Sequence, residues 1–120
     1  MSEVFIMEDS APLRRVLTFE LRRAGHNVTA LGDGEDSTLS DLVDVADVLI
    51  TDIEMPKVNG REVVKNVRRS HPDLPIIVIT GLSPEKVQGI DCDAILTKPL
   101  SETILIETVA ALIPPPEQAA

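Results

Sequence analysis

Aromatic residues are nearly absent from this chain, and cysteine occurs once. Phe5 and Phe19 are the only aromatics among 120 residues, so any hydrophobic core must be built from aliphatic side chains. A single cysteine, Cys92, excludes an internal disulfide and is typical of a reducing cytoplasm. Basic residues are also few, because 11 lysines and arginines stand against 20 acidic residues, a net charge of -9. That charge predicts no binding to nucleic acid or to anionic membranes.

Long apolar runs are missing as well. No run could cross a membrane, and the N-terminus lacks the basic and apolar segments of a signal peptide, so we expect a soluble cytoplasmic protein. The length and a hydrophobic content of 43% predict a single globular domain. We assign it to residues 1–113, with a Pro-rich tail at 114–120 and no output domain.

Short apolar runs alternate with helical patterns five times along the chain. The predicted strands are Val4–Met7, Asn27–Ala30, Val48–Thr51, Ile76–Ile79 and Ala94–Thr97. Between and after them, helices are predicted from a cap at Ser10 or Ala11 to Gly25, at Gly34–Val43, at Gly60–Arg69, over a short Pro84–Gln88 and from the Ser101 cap to Ile113. This alternation predicts a parallel sheet with helices on both faces, joined by right-handed crossovers.

The stretch from Val48 to Gly60 organises the chain. Its buried strand stops at Asp52, and Pro56 prevents the strand from continuing because proline has a fixed φ and no N–H. We therefore expect the Asp52 carboxylate to sit at a rigid strand end, on a loop open to solvent. By contrast, we expect the pairs Arg14-Arg15 and Arg68-Arg69 to be solvated helix faces.

Four predicted strands end in residues with distinctive chemistry. They are Glu8 and Asp9, Asp52, Thr80, and Lys98. The carboxyl ends of parallel strands share one edge of the sheet, so these side chains should meet there. Three carboxylates and one ammonium leave a formal charge of -2, which one divalent cation would neutralise, and hard oxygen ligands favour Mg²⁺. Such a site suits phosphoryl transfer to Asp52, with Lys98 and the Thr80 hydroxyl contacting phosphoryl oxygens.

These motifs, in this order, resemble the receiver domain of two-component response regulators. The matching pieces are Glu8-Asp9, Thr51-Asp52-Ile53-Glu54-Met55-Pro56 with Gly60, Thr80-Gly81, and Lys98-Pro99, and together they cover about residues 3–113. The resemblance implies a flavodoxin-like, doubly wound, five-stranded sheet with strand order 2-1-3-4-5. It also implies a stand-alone regulator that a histidine kinase or phosphotransfer protein phosphorylates and that signals by protein contact or phosphorelay.

The resemblance further implies a role for each site residue. Asp52 is the phosphoacceptor, Thr80 the switch hydroxyl and Lys98 the phosphoryl-binding lysine, preceding a cis Lys98-Pro99 bond. Mg²⁺ is held by Asp9, Asp52 and the backbone carbonyl of Glu54, with Glu8 acting through water. A downstream protein would bind the face formed by the fourth helix, the fifth strand and the fifth helix. No enzymatic turnover is implied beyond self-phosphorylation and self-dephosphorylation.

The sequence departs from the family pattern at two places. Ile95 occupies the position, three residues before the lysine, where the family usually has an aromatic ring. The segment between Thr80 and Lys98 is also short, which predicts a truncated fourth helix.

Two other functions remain open on the sequence alone. A haloacid-dehalogenase-like phosphatase also uses a strand-end aspartate and Mg²⁺, but it places an Asp-x-Asp pair at the first strand. A phosphorylation-independent adaptor would retain the site without using it. Turnover of a phosphomonoester favours the phosphatase, and partner binding unaffected by Asp52→Ala favours the adaptor.

Overall fold

The structure is a computed structural model that describes residues 2–32, 43–56 and 59–113. In chain order the elements are β1 (Glu3–Met7), α1 (Ala11–Arg23), β2 (Asn27–Leu31), β3 (Val48–Asp52), α2 (Gly60–Ser70), β4 (Ile76–Thr80), a 3-10 helix (Pro84–Val87), β5 (Ala94–Thr97) and α3 (Glu102–Leu112). Residues 43–45 are helical, whereas the rest of the helix predicted at Gly34–Val43 and the tail at 114–120 lie outside the described residues.

All five strands are parallel, in the order β2-β1-β3-β4-β5. This is the flavodoxin-like arrangement that the sequence predicts. Every residue of β3 and β4 is buried, as expected for inner strands covered on both faces. Among the described residues, no helix is long and apolar enough to span a membrane.

The core lies in two layers, one on each face of the sheet, and both are almost entirely aliphatic. One layer joins β-strand residues to α2, with Phe5, Met7, Leu49, Ile76 and Val78 packed against Val63, Val64 and Val67. The other joins the opposite faces of the same strands to α1 and α3, with Ile6, Ile50, Ile77 and Ile79 packed against Leu17, Leu21, Leu105 and Val109. The two layers fix the strand ends relative to each other.

Side-chain caps start the helices close to the carboxyl edge of the sheet. Ser10 Oγ accepts from the Leu13 N–H at the start of α1, and Ser101 Oγ accepts from the Ile104 N–H at the start of α3. Ser101 is the cap that the sequence predicts, and Ser10 is one of the two candidates, Ser10 and Ala11, that it offers for α1. Each cap satisfies an N–H that has no partner within the first helical turn.

The fourth helix is shortened, as predicted, to one 3-10 turn that is followed by extended chain. Two arginines of α2 hold this segment against the domain. Arg61 donates to the carbonyls of Lys86 and Gln88. Arg68 donates to the Asp91 carbonyl and to the Asp93 carboxylate. The two Arg61 bonds satisfy carbonyls that a full helix would have satisfied internally.

The expectation that Arg68-Arg69 forms a solvated face is therefore wrong for its first member. Arg68 also donates to the Pro72 carbonyl at 2.9 Å and to the Leu74 carbonyl at 2.8 Å. Its side chain is only 17% exposed, whereas Arg69 is exposed. A charged side chain on a helix can fold back against the protein when backbone carbonyls that need a hydrogen-bond donor lie within its reach.

We predict that Arg68→Met lowers the free energy of unfolding by about 1–3 kcal/mol, because several partly buried carbonyls lose their donor. Arg69→Met removes the same charge one residue away and should change stability by less than about 0.5 kcal/mol. Urea denaturation of the two variants provides the comparison. Equal changes in the free energy of unfolding of the two variants would show that the Arg68 contacts add nothing beyond the charge that both variants remove.

Candidate functional site

Asp52 is the last residue of β3, and its side chain is 1% exposed. This differs from the expected solvent-open carboxylate. Lys98 covers it, since Lys98 Nζ donates to Asp52 Oδ2 at 2.6 Å. The other oxygen, Oδ1, accepts from the Glu54 N–H at 2.9 Å. Both oxygens are thus fixed in direction, one by an ammonium and one by the loop that follows the strand.

Glycine at position 60 lets that loop fold back onto the strand. A Cβ placed on Gly60 would lie 2.5 Å from Ile53 Cα and 2.6 Å from the Asp52 carbonyl oxygen. Both distances are far shorter than a nonbonded contact allows. The start of α2 can therefore approach the acceptor strand only with glycine here, which explains why the sequence has Asn59-Gly60 at this turn.

Glu8 and Asp9 follow β1, the strand next to β3. Glu8 is fully buried, and its Oε2 accepts from the Ser10 N–H at 2.9 Å. Its Oε1 has no hydrogen-bond partner among the described residues, although Lys98 Nζ lies 3.4 Å away. Asp9 is exposed at the mouth of the site. A buried carboxylate oxygen without a hydrogen bond is costly and points to a missing positive partner.

A cation fits this arrangement. One carboxylate oxygen from each of Glu8, Asp9 and Asp52 lies within 4.8 Å of the others. All are hard oxygen donors, the ligand class that Mg²⁺ prefers, and the exposed side of Asp9 leaves room for the waters that Mg²⁺ keeps. The residues present therefore fit the magnesium site that the sequence predicts.

Electrostatics within the site perturb two of its groups. Burial raises the pKa of Glu8 to about 7, and the neighbouring Asp52 charge acts in the same direction. For Lys98, burial favours the neutral amine, but the hydrogen bond and charge of Asp52, together with Glu8, outweigh it and raise the pKa. The ammonium stays charged at neutral pH. The acidic cluster without a cation therefore holds more negative charge than its surroundings favour.

Thr80 ends β4, the strand between β3 and β5. Its side chain is fully buried, and its Oγ1 accepts from the Leu82 N–H at 2.9 Å. The Lys98 N–H donates to the Thr80 carbonyl at 2.8 Å, which ties the ends of β4 and β5 together. The Lys98-Pro99 bond is cis. All of the predicted site residues thus lie at one edge of the sheet.

Two contacts at this edge were not predicted from the sequence. Glu54 Oε1 accepts from the Gly81 N–H at 3.3 Å, which links the loops after β3 and β4. Arg14 Nη1 donates to the Glu8 carbonyl at 2.7 Å, so the expectation that Arg14 is solvated like its neighbour Arg15 is wrong. The helical spacing alone could have placed Arg14 one turn from the Ser10 cap, but not shown which way its side chain extends.

Comparison with known proteins agrees with this geometry. Residues 4–110 match the family model of the response regulator receiver domain. Response regulator ArlR of Staphylococcus aureus is 32% identical over 117 residues, which cover 94% of this chain and 53% of that protein. The chain therefore spans about half the length of the curated relatives it matches.

Solved structures show the same fold. Chemotaxis protein CheY4 of Vibrio cholerae superposes with a TM-score of 0.84 at 30% identity, covering 94% of this chain and 99% of that one. Response regulator TrrA of Thermotoga maritima, solved in complex with Mg²⁺ and BeF, has a TM-score of 0.84 at 27% identity. That match covers 94% of this chain and 100% of the TrrA chain.

We predict that the stability of the metal-free protein falls as pH rises from about 4.5 to about 7. The raised pKa of Glu8 means that the folded state binds more protons than the unfolded state over this window. Glu8→Gln cannot titrate and should remove about 2–3 kcal/mol of that fall, because each tenfold difference in proton affinity corresponds to about 1.4 kcal/mol. Urea unfolding in EDTA across this range measures both proteins. If the free energy of unfolding changed with pH in the same way for both proteins, the raised pKa of Glu8 would be contradicted.

Proposed function

This chain belongs to the response regulator receiver domain family, and we propose that it accepts a phosphoryl group on Asp52. The observation that carries the proposal is the 2.6 Å contact between Lys98 Nζ and Asp52 Oδ2, inside a carboxylate cluster that fits Mg²⁺. A histidine kinase or a phosphotransfer protein would be the donor. We propose residues 1–113 as the receiver unit, with 114–120 as a tail outside it.

In the proposed reaction an Asp52 carboxylate oxygen attacks the phosphorus of a phosphohistidine. The P–O bond of an aspartyl phosphate forms as the P–N bond breaks, and the leaving imidazole keeps the electron pair and takes a proton. Lys98 moves its hydrogen bond from the carboxylate to a phosphoryl oxygen. We propose that the Thr80 hydroxyl donates to a second phosphoryl oxygen, because Thr80 ends β4, the strand between β3 and β5.

A bound Mg²⁺ would neutralise charge on the phosphoryl oxygens. We propose that Asp9, Asp52 and the backbone carbonyl of Glu54 hold it, with Glu8 acting through water. The protein would catalyse only its own phosphorylation and dephosphorylation. The phosphorylated domain would then signal by protein contact or pass its phosphoryl group along a relay.

Two exposed apolar surfaces suit the two kinds of protein partner. On α1, which begins beside Asp9, Val16 and Phe19 are exposed, Phe19 to 61%. We propose this surface for the phosphodonor because α1 begins at the edge of the sheet that holds the acceptor site. On the other side, Ile95 of β5 and Ile104 of α3 are exposed to 38% and 52%. With the 3-10 helix they form the surface that we propose for the downstream partner.

Asp52→Asn should abolish covalent labelling by acetyl phosphate in the presence of Mg²⁺, because an amide cannot act as the nucleophile. Intact-protein mass spectrometry should show one phosphoryl group on the unaltered chain and none on the variant. Asp73→Asn, an exposed aspartate elsewhere, is the matched control and should label normally. Persistent labelling of Asp52→Asn would refute the acceptor, whereas many turnovers of a phosphomonoester would favour a phosphatase.

Phe19→Ser should slow phosphoryl transfer from the cognate histidine kinase about tenfold. A large apolar side chain that anchors an interface typically contributes about 1 kcal/mol or more. Labelling by acetyl phosphate should not change, because that small donor needs no docking surface. Rapid-quench assays with both donors separate the two effects. An unchanged rate from the kinase would exclude this part of α1 as the donor surface.

A further inference from the structure

The peptide group that joins Glu8 to Asp9 has a side-chain anchor. Arg14 lies on α1 and its guanidinium turns back toward β1, where Nη1 donates to the Glu8 carbonyl oxygen at 2.7 Å. That carbonyl belongs to the same rigid plane as the Asp9 N–H. Rotation of this plane would change ψ of Glu8 and φ of Asp9 together. Displacement of the whole peptide would move the two Cα atoms that flank it, and with them both acidic side chains.

The other hydrogen bonds described for this loop are made by the peptide groups on either side of the Glu8-Asp9 peptide. The Glu8 N–H donates to the Leu31 carbonyl at 3.1 Å, which fixes the preceding peptide. The Ser10 N–H donates to the Glu8 carboxylate at 2.9 Å, which fixes the following one. Among the described residues, Arg14 is the donor found on the carbonyl between them. Within residues 2–32, 43–56 and 59–113, one guanidinium thus holds the peptide that the acidic pair shares.

Gly32, directly after β2, leaves the space that the Arg14 guanidinium occupies. A Cβ on Gly32 would lie 3.1 Å from Arg14 Nη1 and 3.5 Å from its Cζ. A side chain at this position would therefore push against the guanidinium where it meets the Glu8 carbonyl. Gly32 and Arg14 form one unit, although they are far apart in the chain.

We propose that Arg14 is a positioning residue for the magnesium site. By fixing the Glu8-Asp9 peptide, it holds their carboxylates in the arrangement that faces Asp52. The proposal rests on the magnesium site of the proposed function, but not on the identity of the phosphoacceptor. Arg15, the next residue, is exposed and supplies a control of the same charge.

The direction in which Mg²⁺ affinity changes when Arg14 is replaced distinguishes a positioning role from a purely electrostatic one. Arg14 brings a positive charge close to the cation site, so its charge alone weakens Mg²⁺ binding, by about twofold at the distances and screening of a protein surface. Removing that charge would strengthen binding if charge were all that mattered. Loss of a group that orients metal ligands instead weakens binding, typically by about 10- to 100-fold. The two effects act in opposite directions.

The test compares Mg²⁺ affinity in Arg14→Met, Arg15→Met and the unaltered chain. The chain has no tryptophan to report binding by fluorescence, so calorimetry or the amide NMR shift of Ser10 serves instead. We expect Arg14→Met to weaken Mg²⁺ binding at least tenfold and Arg15→Met to change it less than twofold. Unchanged or tighter binding by Arg14→Met would overturn the proposal.

A second variant keeps Arg14 and reduces the space around its guanidinium. Gly32→Val should weaken Mg²⁺ binding by about threefold, because a branched side chain whose Cβ lies 3.1 Å from Arg14 Nη1 leaves the guanidinium less room beside the Glu8 carbonyl. If Arg14→Met fails to fold, this variant decides the question. Affinity equal to that of the unaltered chain would then count against the role of Arg14.

The rate of labelling distinguishes positioning from general damage to the domain. At saturating Mg²⁺, labelling of Arg14→Met by acetyl phosphate should return to within about twofold of the unaltered rate, since Asp52 and Lys98 are untouched. A rate that stays low at saturation would contradict an effect on the metal ligands. Labelling of Asp52→Asn would instead refute the phosphoacceptor, and the Mg²⁺ affinities would still test Arg14 separately.

Discussion

The ion pair between Lys98 and Asp52 is the contact on which the rest of the site depends. Asp52 ends β3 and Lys98 directly follows β5, and these two strands are separated in the sheet by β4. Lys98 therefore reaches across the end of β4, where Thr80 lies, to place its ammonium 2.6 Å from the Asp52 carboxylate. A buried carboxylate without such a partner would carry a large desolvation cost. The pair fixes the orientation of the Asp52 carboxylate and shields it from water.

The single positive charge of Lys98 does not neutralise all the carboxylates of the cluster. Glu8 is also fully buried, and one of its oxygens has no hydrogen bond among the described residues. The raised pKa of Glu8 is the electrostatic consequence. This imbalance destabilises the metal-free domain, yet the same imbalance favours a divalent cation, which would then offset the repulsion between the carboxylates and a phosphoryl group. Stability is reduced at the place where binding and chemistry are proposed to occur, as is common at functional sites.

Topology explains why so much of the site was predictable. Glu8, Asp52, Thr80 and Lys98 each lie at or just after the end of a strand, and the carboxyl ends of parallel strands share an edge, so their meeting follows from the alternation of elements. The burial of Asp52 did not follow, because it depends on how far the Lys98 side chain extends. The two arginine pairs show the same limit. Periodicity places Arg14 and Arg15 on one helix, but only tertiary contacts show that Arg14 turns inward while Arg15 remains in solvent.

The most direct test is a crystal structure of the chain with Mg²⁺ and beryllofluoride, a mimic of the phosphoryl group. We expect beryllofluoride bonded to an Asp52 carboxylate oxygen, Lys98 Nζ in contact with one fluorine, and Mg²⁺ between Asp9 and Asp52. A cation bound elsewhere, or Lys98 directed away from the occupied Asp52, would contradict the account.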